Sequence, residues 1–209
     1  MKSYTITEIT ELVRKKYDEI GINDSEMIDD SDSANMDEII KSNISAAYRF
    51  VILSADISLL EGKQIQNAEL SIDDNMIGKV KLPDDFLRGI SFRLSSWQSA
   101  QSDIISEEST EYRMQSDPYA CNTWQNPVAA LVHTSEGRFM ELYKARTKED
   151  TLRSFVYIPI WDDSTEYVNI PEQLGESFIY DVAALTATTF REDVANDFFK
   201  VARSLIGLE

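Results

Sequence analysis

The sequence is poor in the residues on which most catalytic and metal sites depend. It contains one cysteine, Cys121, and one histidine, His133. A single cysteine excludes an intramolecular disulfide and a cysteine-based metal cluster, and zinc needs several histidine or cysteine ligands that the chain does not have. Histidine-dependent catalysis would have to use His133, which ends an expected strand and has no recognisable partner motif. We interpret it as a surface or interface residue.

Glycine, proline and long apolar runs are also scarce. Seven glycines and five prolines argue against long linkers and low-complexity segments. No apolar run approaches the length of about 20 residues that spans a membrane, and the first five residues lack the apolar core of a signal peptide. Phosphate-binding glycine motifs are absent as well. We therefore expect no membrane association, and the cytoplasm of the producing cell is the default location.

Basic residues are outnumbered by acidic ones. Lysine and arginine total 20 against 37 acids, so the formal net charge is −17. A chain this acidic repels phosphates and is not expected to bind nucleic acid through a general electrostatic surface. It also has no basic stripe for anionic lipid. Two interpretations of the charge remain: a well-solvated surface, or a surface that lets DNA pass without adhering.

The abundant acids do not form a recognisable catalytic or metal motif. Neighbouring residues on a strand point to opposite faces, so adjacent acids are not an acid–base couple. Residues 30–35 have some of the spacing of a calcium loop, but Asn35 replaces the turn glycine and Lys41 replaces the bidentate acid. We interpret this segment as a solvated loop tip, and we expect neither enzymatic activity nor a cofactor. The adjacent acids are Asp84 and Asp85, Glu107 and Glu108, and Asp162 and Asp163.

Helical periodicity marks the N-terminal part of the chain. Thr5 and Glu8 have the spacing of a capping box that begins a first helix, and Gly21 is a natural stop. An acidic segment, residues 23–34, predicts an exposed loop, after which Asn35 is expected to cap a second helix that runs as far as Leu60. The apolar faces of the two helices are predicted from spacings of three and four residues: Ile6, Ile9, Val13, Tyr17 and Ile20, then Ile40, Ile44, Ala47, Val51 and Ala55.

The same periodicity returns at the C-terminal end. Pro171 suits the first position of a third helix, residues 191–193 form a break, and Gly207 ends a fourth helix. Amphipathic helices of this kind must bury their apolar faces together or against a sheet. The predicted buried positions are Leu174, Phe178, Val182, Leu185 and Thr189, then Val194, Phe198, Ala202, Leu205 and Ile206.

Strand-like sequence lies between the two helical parts. The segment LPDDFLR at residues 82–88 leads into an alternating run in which Ile90, Phe92 and Leu94 share one face. That alternation predicts a half-buried strand. Residues 106–116 predict a short helical turn or loop, and further strands are expected at residues 127–133, 138–144 and 152–160.

Together these patterns predict an α+β fold. The N- and C-terminal helix pairs are expected to form one helical bundle, with a central antiparallel β insertion. Residues 1–66 and 171–209 would make up the discontinuous bundle, and residues 67–170 the insertion. A chain of 209 residues is long enough for one domain with such an insertion.

Aromatic residues are concentrated in and near the expected insertion. The tryptophans, Trp97, Trp124 and Trp161, have two interpretations, packing in the core or contact with a partner. An insertion this rich in aromatics mildly favours oligomerisation. Candidate contacts with neighbours or partners are therefore Trp97, Trp124, Trp161, Tyr112 and Tyr119.

Several short segments, taken in order with the elements, carry a family resemblance. They are residues 9–19, 82–88, 111–112 with Gln115, 126–128, 141–143 and 167–171. With them the chain resembles the head-to-tail adaptor, or connector, proteins of short-tailed bacteriophages, which include ring and tail tubular gatekeeper-type proteins. The resemblance is greatest to ring proteins of the crAss-like phages. It covers most of the chain, and none of its motifs is catalytic.

The resemblance implies a structural role in the virion. Such proteins form a ring, usually of twelve copies, that binds the portal protein and other tail or ring proteins. The ring extends the channel for genomic DNA, which passes without specific binding, so carboxylates in the lumen would repel its phosphates. The protein would be made in the host cytoplasm and be found in the neck or tail. The alternatives are a small acidic cytoplasmic phage enzyme and an assembly factor that is absent from the virion.

Overall fold

The fold was analysed in a computed structural model that describes residues 1–19, 30–66, 68–117, 119–189 and 192–207. The chain forms two compact units. The first, here the helical unit, combines Met1–Glu61 with Trp161–Glu209; the second, the β unit, is Gly62–Ile160. The fold is mixed α+β, with helices and several antiparallel sheets.

The elements follow one another in an order that separates most helices from most strands. Short 3-10 turns follow the second helix (Ile57–Leu59) and precede the fourth (Glu172–Leu174). In chain order the elements are β1 (Lys2–Thr5), α1 (Ile6–Glu19), α2 (Asp30–Ser54), β2 (Lys63–Gln64), β3 (Leu70–Ile72), β4 (Ile77–Lys81), β5 (Phe86–Leu94), β6 (Ile104–Ser106), α3 (Thr110–Met114), β7 (Ala129–Thr134), β8 (Gly137–Tyr143), β9 (Leu152–Pro159), β10 (Tyr167–Ile170), α4 (Gly175–Ala187) and α5 (Glu192–Leu205).

The predicted capping box begins α1. The Glu8 N–H donates to Thr5 Oγ1 at 3.1 Å, and the Thr5 N–H donates to Glu8 Oε2 at 2.8 Å. These two bonds satisfy backbone donors that the first helical turn leaves free. The buried face of α1 ends at Tyr17, whose hydroxyl donates to the Ala183 carbonyl of α4 at 2.6 Å. The expected stop at Gly21 lies outside the described residues.

Helix α2 differs from its prediction at both ends. It begins at Asp30, so Asn35 is not its cap, and the loop interpretation of residues 30–34 is wrong. Residues 23–29 lie outside the described residues. Acids stabilise the first turn of a helix through its dipole, so an acidic run fits a helix start as well as a loop. The helix ends at Ser54 rather than Leu60, and Asp56 then caps the 3-10 turn. Its predicted apolar face, from Ile40 to Ala55, is fully buried.

Helix α4 is the central element of the helical unit. It packs against α1, α2 and α5, and its small and apolar residues are buried on almost every side. Pro171 precedes the 3-10 turn instead of occupying the first position of α4. At the ends of the predicted stripes, Thr189 and Leu205 are exposed. Each lies at or beyond a helix end, where no neighbouring helix covers it.

An antiparallel pair of strands, β1 and β10, completes the helical unit. Lys2 pairs with Ile170 and Thr5 with Tyr167. The sequence prediction had no strand before α1, and it assigned residues 167–170 to the insertion. Both elements are four residues long, which is too short for a clear alternation. The β10 strand therefore lies in the helical unit, and the unit boundary falls at residue 160 instead of 170.

The β unit contains a five-stranded and a three-stranded sheet. The strand orders are β3-β4-β8-β7-β6 and β2-β9-β5. Strand β6 pairs with β7 in parallel, so the expectation of a wholly antiparallel insertion is wrong at that edge. The hydrophobic core of the unit includes Phe92, Trp97, Met140 and Phe155.

The 82–88 segment joins β4 to β5 through a turn. The Phe86 N–H donates to the Pro83 carbonyl at 3.0 Å. The following strand is irregular, with register shifts between Phe86 and Arg88 and between Gly89 and Ser91. Such bulges interrupt a strict alternation. Phe92 and Leu94 are buried as predicted, but Ile90 is only half-buried.

Candidate interaction surface

Of the five aromatic residues predicted to contact partners, Trp97 is excluded by its position. It is 1% exposed and belongs to the core of the β unit. Within the described residues its indole N–H has no hydrogen-bond partner. An unpaired donor inside the core destabilises the folded state and is not a contact with a partner. The interpretation of Trp97 as core packing is therefore the one that holds.

Two aromatic side chains of the β unit remain exposed. Tyr119 is 99% exposed and Trp124 is 37% exposed. The Arg146 guanidinium lies 4.7 Å from the ring centroid of Trp124, a cation–π arrangement that holds the indole in place. In the helical unit, the half-buried Trp161 donates its indole N–H to Thr165 Oγ1 and to the Tyr167 carbonyl, at 2.9 and 3.0 Å. Tyr119 and Trp124 thus offer the most accessible ring surface of the five.

Tyr112 belongs to a hydrogen-bonded group around Glu141 in the β unit. The hydroxyls of Tyr112 and Tyr143 both donate to Glu141 Oε2, at 3.2 and 2.7 Å. Lys79 Nζ lies 3.3 Å from Glu141 Oε1. Burial raises the pKa of both tyrosines, so both hydroxyls stay protonated and act as donors. With three donors around it, the Glu141 carboxyl group is held in place by hydrogen bonds and an ion pair within the β unit.

A cavity of about 660 Å³ adjoins this group, and Tyr112, Tyr143 and Cys121 are among its lining residues. The sequence reasoning missed Glu141. A signal was present, because Glu141 is a lone acid within the apolar run 139–143 of β8.

Asp85 and Glu107, each from one of the adjacent pairs of acids, make local contacts in the β unit. Asp85 pairs with Lys63 Nζ at 2.7 Å and accepts from the Tyr157 hydroxyl at 3.0 Å. Glu107 accepts from the backbone N–H of His133 at 2.9 Å. Among the described residues, no cluster of histidine, cysteine and acidic side chains could hold a metal ion. In the same part of the chain, no helix is long and apolar enough to cross a membrane.

The helical unit carries an apolar groove of about 290 Å³ between α2, α4 and α5. We name it the α2–α5 groove. The rings of Phe50 and Phe199 approach each other there, with centroids 6.4 Å apart. Phe50 remains 37% exposed, and Leu53, one turn further along α2, is 54% exposed. The residues that line the groove are Ala46, Phe50, Asp181, Leu185, Phe199 and Arg203.

Asp181 is the unusual member of the α2–α5 groove. It is 1% exposed, and neither carboxyl oxygen has a hydrogen-bond partner among the described residues. Burial raises the pKa of Asp181 to about 7, although the positive charge of Arg203 opposes the rise. Sequence reasoning did not single it out. The sequence did contain a signal for it, because Asp181 is an acid in the middle of the apolar stretch that forms α4.

No known protein-family model matches this chain, and no curated protein is detectably similar to it. The family resemblance therefore stays a prediction that rests on the segments given above.

Proposed function

We propose that the chain is a structural protein of the virion of a short-tailed, crAss-like bacteriophage. Copies of it would form an oligomeric ring of twelve that binds the portal protein and the tail and extends the DNA channel. In this proposal the helices from both ends of the chain form one bundle. The β unit is an insertion whose exposed Tyr119 and Trp124 contact neighbouring copies or other tail or ring proteins.

The observation that carries the proposal is the exposed apolar face of α2. Ala46, Phe50 and Leu53 are all exposed, and their spacing of four and three residues puts them on one side of the helix. A soluble, strongly acidic chain that leaves such a face in water has a surface suited to a protein partner. In the virion, that face would meet the portal protein or another tail or ring protein, and the ring itself would close through a repeated heterologous contact between other surfaces of neighbouring copies.

The net charge of −17 supports the channel role. Every copy brings the same excess of carboxylates into the assembly. Carboxylates that face the lumen would repel DNA phosphates, so the genome would move through without adhering.

A small acidic enzyme has less support than a connector. The carboxyl group of Glu141 is already bound by three donors. The acids that line the adjoining cavity, Glu107 and Asp117, accept from the backbone N–H groups of His133 and Tyr119. A catalytic acid or base needs a titratable group that is free to exchange a proton with a substrate. Only the number of acidic residues favours an enzyme, and that number is equally compatible with an assembly factor that is absent from the virion.

The proposal is tested by light scattering and electron microscopy of the purified chain, alone and with the portal protein of the same phage. We expect rings of fixed symmetry that stack on the portal. Leu53→Glu should prevent the rings from stacking on the portal and leave the circular dichroism spectrum unchanged. Lys41→Gln is the matched control, because it changes the charge by the same amount at an exposed position on another side of α2. A wild-type chain that stays monomeric even with its portal present would refute the proposal.

A further inference from the structure

We infer that the α2–α5 groove is a binding site for one lysine or arginine side chain that projects from an apolar segment of a partner protein. The inference goes beyond the proposed ring, because it names the chemistry of the partner that binds at this face and does not require that copies of this chain associate.

The first argument is the state of Asp181. Its carboxyl group is buried in the groove, and in the part of the chain that the structure describes it receives no hydrogen bond. A buried carboxylate without a donor destabilises a protein, whereas one that is paired and hydrogen-bonded does not carry that cost. Proteins break such rules mainly at functional sites. The missing element is therefore a donor, and a cation is the donor that a carboxylate binds most strongly.

The second argument is the shape and lining of the groove. Ala46, Phe50, Leu185 and Phe199 supply apolar surface around the carboxyl group. Lysine and arginine have an apolar stem and a charged head, so the stem can lie on that surface while the head reaches Asp181. The groove volume of about 290 Å³ is at the lower limit of small-molecule pockets, which run from about 300 to 1,000 Å³. It suits a single long side chain.

Arg203 is the internal competitor for this role. It lines the same groove, yet no hydrogen bond joins it to Asp181. Its charge lowers the pKa of Asp181 without overcoming the effect of burial. Arg203 therefore influences the carboxyl group from a distance without donating to its oxygens. Those oxygens are buried, so an incoming donor has to open the groove to reach them.

Charge complementarity favours a partner protein over a second copy of this chain. Each copy has a formal net charge of −17, so two copies repel each other at long range. A basic segment of another protein is attracted to the same surface, and its apolar residues would cover the exposed Phe50 and Leu53. We therefore assign the groove to a segment of mixed apolar and basic character.

The test uses n-pentylammonium as a probe of this chemistry, compared with 1-pentanol and pentanoate at pH 8. Binding to the full chain is followed by the ¹³C methyl resonances of Ala46 and Leu185. We expect the ammonium to bind about tenfold more tightly than the alcohol, as expected for a charge-assisted hydrogen bond, and pentanoate not to bind. Asp181→Asn should abolish the preference. Asp197→Asn removes an equal charge from an exposed site on α5 and should preserve it.

Four results would overturn the assignment. The first is equal binding of the ammonium and the alcohol, and the second is a preference for the ammonium that survives Asp181→Asn. The third is a measured Asp181 pKa below 4 that rises in Arg203→Gln, because Arg203 would then be the partner of Asp181. The fourth is binding only to dissociated chains, which would give the groove to a second copy. Light scattering on the same samples reports ring formation separately, so failure of the ring proposal and failure of this assignment are distinguishable.

Discussion

The substitution Asp181→Asn should change the pH dependence of stability of the helical unit. The carboxyl group has a pKa of about 7 in the folded chain, against its ordinary value of 3.8, because burial disfavours the charged form. Between these two pH values the folded state binds more protons than the unfolded state. Stability therefore falls as pH rises through this window. The amide of asparagine has a similar shape and does not titrate.

The magnitude follows from the width of that window. Each pH unit corresponds to about 1.4 kcal/mol for one proton. From pH 5 to the pKa of about 7, wild-type stability should therefore fall by about 2 kcal/mol relative to the variant, and by about 3 kcal/mol at pH 8, where the carboxyl group is almost fully ionised in the folded state. Above pH 8 the difference between the two proteins should stay constant. Any cost of the unpaired asparagine amide is present at every pH, so it cancels when the two pH values are compared.

The assay is urea unfolding of both proteins at pH 5, 6, 7 and 8, followed by far-ultraviolet circular dichroism. Asp197→Asn, at an exposed site on α5, is the control and should show a flat difference across this range. A flat profile for Asp181→Asn as well would refute the reasoning that burial raises the pKa of Asp181. An ion-paired Asp181 would also give a flat profile, with Asp181→Asn less stable than wild type by the same amount at every pH in this range.

Three further substitutions test the packing of the two units by urea unfolding. Thr5→Ala should cost about 1 kcal/mol, because it removes the side-chain cap of α1; no loss would mean that the capping box is not formed in solution. A Cβ added by Gly175→Ala would collide with the Tyr4 hydroxyl and should cost about 1–3 kcal/mol. Tyr4→Phe should recover part of that loss, and strict additivity would contradict the contact. Phe92→Ala removes a fully buried ring and should cost about 3–5 kcal/mol, whereas Tyr119→Ala, at a 99% exposed site, should change stability by less than about 0.5 kcal/mol.

Local signals in the sequence predicted the elements that local physics determines. The capping box at Thr5 and Glu8 forms because both partners lie within one helical turn. The buried face of α2 follows from its periodicity, since a stripe of apolar residues has to be covered. The three strands expected after residue 126 are present as β7, β8 and β9, because each is long enough for its pattern to be visible.

Features that depend on distant parts of the chain were not predictable in this way. The β1–β10 pairing joins residues about 165 positions apart, and neither strand is long enough to be recognised alone. The state of Asp181 depends on three helices that enclose it. Trp97 and Trp124 are alike in sequence terms, but one is in the core and the other on the surface. The candidate site was therefore missed, although the class of fold was predicted.

The β1–β10 ladder also has a consequence for the order of folding during synthesis. The β unit is continuous, so all of its strands have left the ribosome once residue 160 has emerged. The helical unit cannot complete its folding at that point, because β10, α4 and α5 are synthesised last. Until then the apolar faces of α1 and α2 stay exposed to water and the two helices are not fixed in position, because α4, their main packing partner, has not yet been made. Domains tend to fold as units when they are complete. The central part of the chain should therefore reach its native structure first, while the earliest residues to be made are among the last to be fixed in place.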